Sequence, residues 1–477
     1  MLNDRFKDYD DEVRTLVNEF ENTILKGQSH FFDTDEIEVI IDFYLETADL
    51  DKMETAILYA ENLYPGSAEV RLRRSHLYSA RNQFDQSLAI LSDLERKDPT
   101  NTDVAYALGA LYSMTDHPEM AIAYFQKAAA DGYMLGTVYA NIADEYYKLN
   151  RYDDAARFYK KAVAAGSDDH HVLLGLLDAY SDMDQPEAAA DYFRKMVERE
   201  PYSHYAWYCL AEAYYTLGMY EHAIDAFEYA IAIDKTFFDA YMAIADCYED
   251  AGQPLKAVES LRRSLDYAEH KEVVSFAIGS VYLRMNNCEA ALPYFKQAEQ
   301  EIRATALLST PLLVSDLYAS LADCYRAMGE YYLAVQSATT ALTSSPDPAR
   351  VLRFLGSLHE EYGEHEQAEL ALRGAIEREP EADENWTSYI DYLIRAGRYA
   401  DALDQALQGA AAADDGPQFA IRFAAIYFRL GQRNSMFHFL LVALQSGSES
   451  IDTLLTLCPE MADDPEVGTL LADARQR

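Results

Sequence analysis

Hydrophobic and polar positions along most of the chain recur with a period of 34 residues, and one tyrosine position shows this most clearly. After one extra step of nine residues the same period continues to the end of the pattern. The recurring tyrosines are Tyr44, Tyr78, Tyr112, Tyr146, Tyr180, Tyr214, Tyr248, Tyr282, Tyr325 and Tyr427. His359 and Leu393 occupy the two remaining places. A fixed period of this length indicates a repeat architecture.

Each copy of the repeat predicts two helices. When the recurring tyrosine is numbered position 11, apolar or small residues fall at positions 4, 7, 8 and 11, and again at 20, 24 and 27. These are the spacings of amphipathic helices, and no stretch of useful length alternates with period two. The twelve copies begin at residues 34, 68, 102, 136, 170, 204, 238, 272, 315, 349, 383 and 417. We therefore expect an all-α fold.

The break between the two helices lies at position 15. Six copies have glycine there, three have asparagine, two have aspartate, and only Ala48 departs from this set. Glycine, asparagine and aspartate tolerate the positive φ that ends a helix before a sharp reversal. Positions 8 and 20 are mostly small, whereas positions 11 and 24 are mostly large. This alternation predicts close packing between the helices.

The copy that begins at residue 204 carries the whole pattern. Its key residues are Trp207, Leu210, Tyr214, Gly218, Ala223, Phe227 and Ala230. This pattern resembles the tetratricopeptide repeat, a helix–turn–helix unit of 34 residues. The resemblance covers about twelve copies, and it implies a right-handed superhelical α-solenoid of antiparallel helix pairs.

The repeat frame divides the chain into five parts. We predict an N-terminal capping helix in residues 1–33, eight copies in 34–305, an insertion at 306–314, four copies in 315–450 and a C-terminal capping helix in 451–477. Caps are expected because a terminal repeat must cover its outer apolar face. The insertion is either a longer turn or a protrusion or flex point.

The chain is strongly acidic, with 81 Asp and Glu against 40 Lys and Arg, a net charge of −41. Nucleic acid and anionic lipid both require clustered basic residues, so neither is an expected partner. No apolar run approaches the about 18 residues of a membrane span, and the N-terminus lacks the features of a secretory signal. The five cysteines are widely spaced without a CxxC motif. We expect a cytoplasmic protein without membrane insertion or disulfides.

Motifs for catalysis or metal binding are weak. His359-Glu360 and His365-Glu366 are fragments of a zincin-like pattern, but the histidines are six residues apart instead of four. The chain has no phosphate-binding glycine-rich loop and no G-x-S-x-G sequence. We therefore expect no enzyme activity, no cofactor and no metal site.

A binding surface is the remaining candidate. The resemblance implies a concave groove lined by positions 2, 5, 9, 12 and 13 of the first helix in each copy. The predicted groove acids are Asp144, Asp178, Glu212 and Asp246 at position 9 of four successive copies. The predicted groove aromatics are Tyr106, Tyr147, Tyr205, Tyr208 and Tyr215. Position 9 is also acidic at Asp42, Asp323 and Asp391.

These residues predict a scaffold that binds a basic peptide or protein segment. Carboxylates would pair with its cations, and tyrosines would stack on guanidinium or apolar groups. The alternative for the groove is a solvated polar face on a protein that is acidic throughout. The alternative function is a structural or self-assembling subunit that uses its ends or its convex face. Arg71, Arg73 and Arg74 form one basic cluster, which either contacts an acidic partner or offsets neighbouring acids.

Overall fold

The structure is a computed structural model of the full chain. It describes residues 11–26, 31–132, 134–167, 169–268, 270–305, 311–413, 416–445 and 448–475. The chain forms two compact units, residues 1–234 and residues 235–477.

Unit 1 consists of helices in the part of it that the structure describes. They are α1 (Asp11–Lys26), α2 (Thr34–Glu46), α3 (Leu50–Leu63), α4 (Ala68–Ala80), α5 (Phe84–Lys97), α6 (Thr102–Met114), α7 (Pro118–Ala128), α8 (Leu135–Lys148), α9 (Tyr152–Ala164), α10 (His170–Asp182), α11 (Pro186–Arg199), α12 (His204–Thr216) and α13 (Tyr220–Ile233). A short 3₁₀ turn, Ala129–Asp131, follows α7.

Unit 2 continues the same alternation. Its helices are α14 (Phe238–Asp250), α15 (Pro254–Ser264), α16 (Lys271–Arg284), α17 (Cys288–Thr305), α18 (Pro311–Ala327), α19 (Tyr331–Ser344), α20 (Pro348–Glu361), α21 (His365–Arg378), α22 (Asp383–Arg395), α23 (Tyr399–Ala412), α24 (Pro417–Arg429), α25 (Arg433–Leu444), α26 (Ser448–Leu457) and α27 (Pro465–Arg475). A 3₁₀ turn, Pro459–Ala462, lies between α26 and α27.

The predicted all-α array of helix pairs is confirmed. Helices α2 to α25 form twelve consecutive pairs, one pair in each predicted copy, and the two helices of each pair pack on one another. In the described ranges every regular element is a helix. None of the described helices is long and apolar enough to cross a membrane.

The turn at position 15 has positive φ in all twelve copies, as the sequence predicted. In the copy that begins at residue 204, the amide of Gly218 donates to the carbonyl of Tyr215 at 2.8 Å, and the next amide donates to Tyr214 at 2.9 Å. These bonds satisfy the last carbonyls of the helix. Ala48 adopts φ 57° although it carries a Cβ. The repeat therefore imposes this backbone conformation even where the side chain disfavours it.

Small and large residues meet between the two helices of a copy. A Cβ added at Gly109, which is at position 8, would lie 2.6 Å from the ring of Phe125 at position 24. Gly279 has the same relation to Phe295. The predicted close packing of positions 8 and 24 is confirmed at these sites, because no side chain would fit between helix and ring.

The outer helices pack on the terminal copies. Val17 and Phe20 of α1 join the apolar core of α2 and α3. Leu454 of α26 and Val467 of α27 join the core of α24 and α25. A capping box starts α2, since Asp33 and Glu36 exchange side chain–backbone hydrogen bonds of 2.9 Å.

The region of the predicted insertion has two lengthened helices. Helix α17 has 18 residues and α18 has 17, whereas the corresponding helices α23 and α22 have 14 and 13. Residues 306–310 lie outside the described residues. Part of the nine-residue insertion therefore lengthens α17 and α18 by about one turn each, since a helical turn takes 3.6 residues. The predicted flex point stays a prediction.

Candidate functional site

We use the name first-helix face for the surface formed by positions 2, 5, 9, 12 and 13 of the first helix in each copy. In unit 1 the face runs over α6, α8, α10 and α12, because α10 contacts both α8 and α12 and neighbouring first helices lie side by side. Eight of the nine predicted site residues lie on the first-helix face of unit 1. Asp246 lies on α14 in unit 2.

A pocket of about 670 Å³ lies on this face between α6, α8 and α10. It brings together three of the predicted residues, Asp144, Tyr147 and Asp178. Phe125 of α7 and Tyr159 of α9 contribute aromatic surface from the second helices. We call this site the α6–α10 pocket. Its lining combines carboxylates with apolar and aromatic side chains.

Asp144 has two hydrogen-bond partners from neighbouring helices. The hydroxyl of Tyr159 donates to Asp144 Oδ1 at 2.6 Å, and Nε2 of His171 lies 3.0 Å from the same oxygen. Burial and the charge of Asp144 hold the pKa of the Tyr159 phenol well above its usual value. Tyr159 therefore stays protonated as a donor to Asp144.

Gly175 of α10 makes the position of Tyr159 possible. A Cβ at Gly175 would lie 2.5 Å from the Tyr159 ring. The ring thus occupies the space that a side chain at position 6 of the next copy would need. Because residue 175 is glycine, the Tyr159 ring can form the floor of the α6–α10 pocket.

Asp178 has no ion pair within the described residues. Its carboxylate reaches solvent, yet crowding by protein atoms raises its pKa, and the charge of Asp182 adds to this increase. His171 has the opposite, smaller influence on the pKa of Asp178. A carboxylate with a raised pKa is charged at a free-energy cost, which a nearby cation would reduce.

Glu145 adds a third carboxylate to the pocket. It is only 2 % exposed, and its Oε1 accepts hydrogen bonds from Ser113 at 2.6 Å and from Lys148 at 2.7 Å. Its Oε2 has no hydrogen-bond partner in the described part of the chain. Buried acceptors usually receive a hydrogen bond, so this carboxylate oxygen lacks a donor that it would be expected to have.

The tyrosines of the face pack against aromatic neighbours of the same unit. Tyr106 lies 5.5 Å from Phe125 between ring centroids, and its hydroxyl accepts a hydrogen bond from Asn141. Tyr147 donates to the carboxylate of Asp182, which raises the pKa of the Tyr147 phenol. Their rings are thus held in place before any partner arrives.

Helix α12 carries the other three tyrosines and Glu212. Tyr205 stacks on His170 at 4.8 Å. Ring centroids of Tyr208 and Tyr215 lie 5.4 Å and 5.8 Å from Phe227 and Tyr220. These rings and the half-buried Glu212 lie outside the α6–α10 pocket.

Asp246 in unit 2 is exposed on α14. Crowding raises its pKa, Glu249 adds to the increase, and Arg284 opposes it. Arg284 itself binds the carboxylate of Glu249. The structure therefore places Asp246 beside an arginine that is already paired.

Two other position-9 acids are paired with arginine. Asp42 lies 2.9 Å from Arg73, and Asp391 accepts two hydrogen bonds from Arg422 at 2.8 Å and 2.7 Å. Both arginines stand at position 6 of the following copy, 31 residues after the acid. The copies that follow Asp144 and Asp178 have Gly175 and Cys209 at that position. The central acids therefore lack the arginine that neutralises their counterparts.

The arginine cluster of α4 offsets neighbouring acids, which was one of its two interpretations. Arg71 pairs with Asp93 at 2.8 Å, Arg73 pairs with Glu38 and Asp42, and Arg74 binds Glu61 through two nitrogens. All three guanidinium groups are thus engaged within unit 1.

The sequence interpretation missed His171, Glu145 and Tyr159. His171 stands at position 2, so the groove positions would have found it if histidine had been considered beside the acids. Tyr159 stands at position 24, which the repeat pattern assigns to packing, and Glu145 stands at position 10, which is outside the groove positions. The spacing of 31 residues between acid and arginine was readable in the sequence and would have separated the paired acids from the unpaired ones.

The weak metal motif does not assemble into a ligand cluster in the described residues. His359 lies 2.8 Å from the hydroxyl of Tyr331, and Glu360 binds Arg395. Over the described ranges, no group of three or more potential ligands lies together.

Comparisons with known proteins agree with the repeat pattern. Profiles described as tetratricopeptide repeat match residues 141–203, 204–237, 238–271, 320–383 and 362–417. No curated protein matches the chain.

Three solved structures illustrate the similarity. MamA is 28 % identical, with a TM-score of 0.30, over 35 % of this chain and 98 % of its own. YrrB, described as a TPR protein with an unusual peptide-binding site, is 21 % identical, with a TM-score of 0.29, over 37 % and 91 %. A tetratricopeptide repeat protein from Parabacteroides merdae is 19 % identical, with a TM-score of 0.37, over 53 % and 98 %.

Proposed function

Since the chain belongs to the tetratricopeptide repeat family, whose helix pairs serve as scaffolds for protein interactions, we propose that the first-helix face of unit 1 binds a basic segment of a partner protein. The α6–α10 pocket would hold one arginine or lysine side chain of that segment. Glu212 and the tyrosines of α12 would contact the residues beside it.

The carboxylates of Asp144 and Asp178 carry this proposal, because neither has an arginine or lysine partner among the described residues. At the same repeat position, Asp42 and Asp391 are neutralised by an arginine of their own chain. A guanidinium or ammonium group from a partner would supply the missing charge, and it would lower the raised pKa of Asp178. Charge-assisted hydrogen bonds of this kind are stronger than neutral ones.

The walls of the pocket favour a long side chain with a charged end. Phe125 and Leu174 offer apolar surface, and the ring of Tyr147 stands beside them. Lysine and arginine pack aliphatic stems on such surface while their charged ends reach polar groups. An aromatic ring adds a cation–π contribution, which is larger for a desolvated cation.

The test is a titration of the full chain with a labelled peptide of alternating arginine and glycine, followed by fluorescence anisotropy. We expect the double variant Asp144→Asn, Asp178→Asn to weaken binding about 10- to 150-fold, since the bound cation would lose one charge-assisted hydrogen bond, which contributes about 1.5–3 kcal/mol. A peptide with glutamine in place of arginine should not bind measurably.

The matched control removes two negative charges from second helices of the same unit. Glu119→Gln and Glu187→Gln change exposed residues at the starts of α7 and α11, away from the first-helix face. Equal weakening by this control and by the Asp144–Asp178 variant would show that the peptide responds only to net charge, and the proposal would fail.

A further inference from the structure

One copy differs from the other eleven where its two helices meet. Positions 8 and 24 face each other between the helices, and every other copy has a large residue at one of them at least. The copy that begins at residue 315, which we call copy nine, has alanine at both, Ala322 and Ala338. Ile390 compensates for Ala406 in the copy that begins at 383, so a small residue at position 24 is not by itself a deficit.

A cavity of about 250 Å³ borders Ala338, the position-24 residue of copy nine. Ala338 and Ala341 of α19 form its floor, and Val351 and Phe354 of α20 form a wall. Both alanines are almost fully buried. The cavity therefore has an apolar floor, while serine and charged side chains contribute to the rest of its lining, and we call it the copy-nine pocket.

The mouth of the copy-nine pocket opens on the first-helix face of unit 2. Asp316 and Asp323, at positions 2 and 9 of α18, line it together with Arg350 of α20. Burial raises the pKa of Asp323, while Arg326 and Arg350 oppose the increase. Asp347 also lines the pocket, and Arg326 is bound to Glu361, so three carboxylates face one guanidinium there, that of Arg350.

We propose that the copy-nine pocket binds one leucine-sized apolar side chain of a partner segment, next to a basic residue that contacts Asp316 and Asp323. The apolar floor selects the first residue, and the acidic mouth selects the second. An apolar cavity gains free energy when an apolar group fills it, and the gain grows with the area removed from water. The proposal deepens the proposed function, since its ligand is again a protein segment, but it uses a pocket in unit 2.

The test uses methyl NMR of the full chain with three small probes. They are the N-acetylated dipeptide amides Leu-Arg, Ala-Arg and Leu-Glu, and the methyl groups of Ala341 and Val351 report on the pocket. We expect Leu-Arg to shift both methyl resonances with a half-saturating concentration at least about tenfold below that of Ala-Arg, from the larger apolar area buried. Leu-Glu should bind more weakly than Leu-Arg.

The variant Ala338→Leu fills the pocket and should abolish these shifts. Copy seven already packs Ala245 and Leu261 at the same two positions, both buried, so the repeat accepts this combination. Thermal unfolding should show an unchanged or higher midpoint. If leucine disrupts folding, Ala338→Val supplies a smaller filling and should weaken Leu-Arg binding by part of the full effect.

Two results would overturn the proposal. One is the absence of Leu-Arg shifts at Ala341 and Val351 in the wild-type chain, and the other is equal half-saturation for Leu-Arg and Ala-Arg. The variant Asp144→Asn, Asp178→Asn should leave the shifts unchanged. Failure of basic-segment binding in unit 1 and failure of the copy-nine pocket are thus separate outcomes.

Discussion

The first-helix face has the same acidic position in α10 and in α22, with opposite consequences. Asp391 of α22 has a side chain only 17 % exposed and accepts two hydrogen bonds from Arg422. Asp178 of α10 reaches solvent and has no ion pair among the described residues. The residue 31 positions later decides the difference, because it is arginine after Asp391 and Cys209 after Asp178. One repeat position therefore serves stability at Asp391 and leaves a charged site open at Asp178.

Space between neighbouring copies explains why the α6–α10 pocket lacks such an arginine. The side chain of Arg422 is 7 % exposed, so it needs room between the first helices. In α10 the equivalent place belongs to Gly175, and the ring of Tyr159 fills it. An internal cation and this tyrosine are thus alternative ways to occupy the same space.

The largest expected effect comes from breaking the ion pair between Asp391 and Arg422. Arg422→Ala should lower the free energy of unfolding by about 3–5 kcal/mol, since it leaves a buried carboxylate without a partner. Urea unfolding followed by the fluorescence of Trp386 on α22 reports it, with Trp207→Phe as the background so that only one tryptophan contributes.

Arg326→Ala is the matched control for that variant. Arg326 and Glu361 are both partly exposed, so their pair should contribute at most about 1 kcal/mol. The second variant Asp391→Leu, Arg422→Ala removes both buried charges and should recover part of the loss. Equal losses for Arg422→Ala and Arg326→Ala would contradict the structural role assigned to Asp391.

A smaller effect is expected at position 15, where all twelve copies have positive φ. Ala48→Gly should raise the free energy of unfolding by about 0.5–1 kcal/mol, because left-handed backbone costs an alanine about 1–2 kcal/mol and glycine has a higher unfolded-state entropy. Thermal unfolding of the variant measures it. A lower midpoint would mean that the turn of the first copy does not share the conformation of the other eleven.

The smallest effect should come from the open acid itself. The pKa of Asp178 is higher in the folded chain than its ordinary value of 3.8, so folding favours its neutral form. Its contribution to stability is therefore greatest below pH 3.8 and decreases as the pH rises through the folded pKa. Asp178→Asn should be slightly more stable than wild type at pH 7, with the difference vanishing towards acid pH.

Paired denaturation curves at several pH values test this prediction. An Asp178→Asn variant that is less stable than wild type at pH 7 would indicate that the carboxylate already has a stabilising partner. The open site in unit 1 would then be an ion pair like that of Asp391.

The repeat pattern predicted the helices, the positive φ at position 15 and the contacts of Gly109 and Gly279, because each depends on residues within one copy. The pairing of Asp391 with Arg422 was not predicted, since it joins two copies and changes from one copy to the next. For the same reason the contact of Asp144 with His171, which belongs to the next copy, was not predicted. The lengthening of α17 and α18 was also missed, because the insertion has no pattern of its own.

Photo-crosslinking of a basic peptide tests the central claim most directly. A peptide of alternating arginine and glycine, with one photoreactive residue, is irradiated with the full chain, and the crosslinked segments are found by mass spectrometry. We expect crosslinks on α6, α8 and α10, and their loss in the variant Asp144→Asn, Asp178→Asn. Crosslinks that fall equally on α22 and α24, where Arg422 neutralises Asp391, would contradict the account.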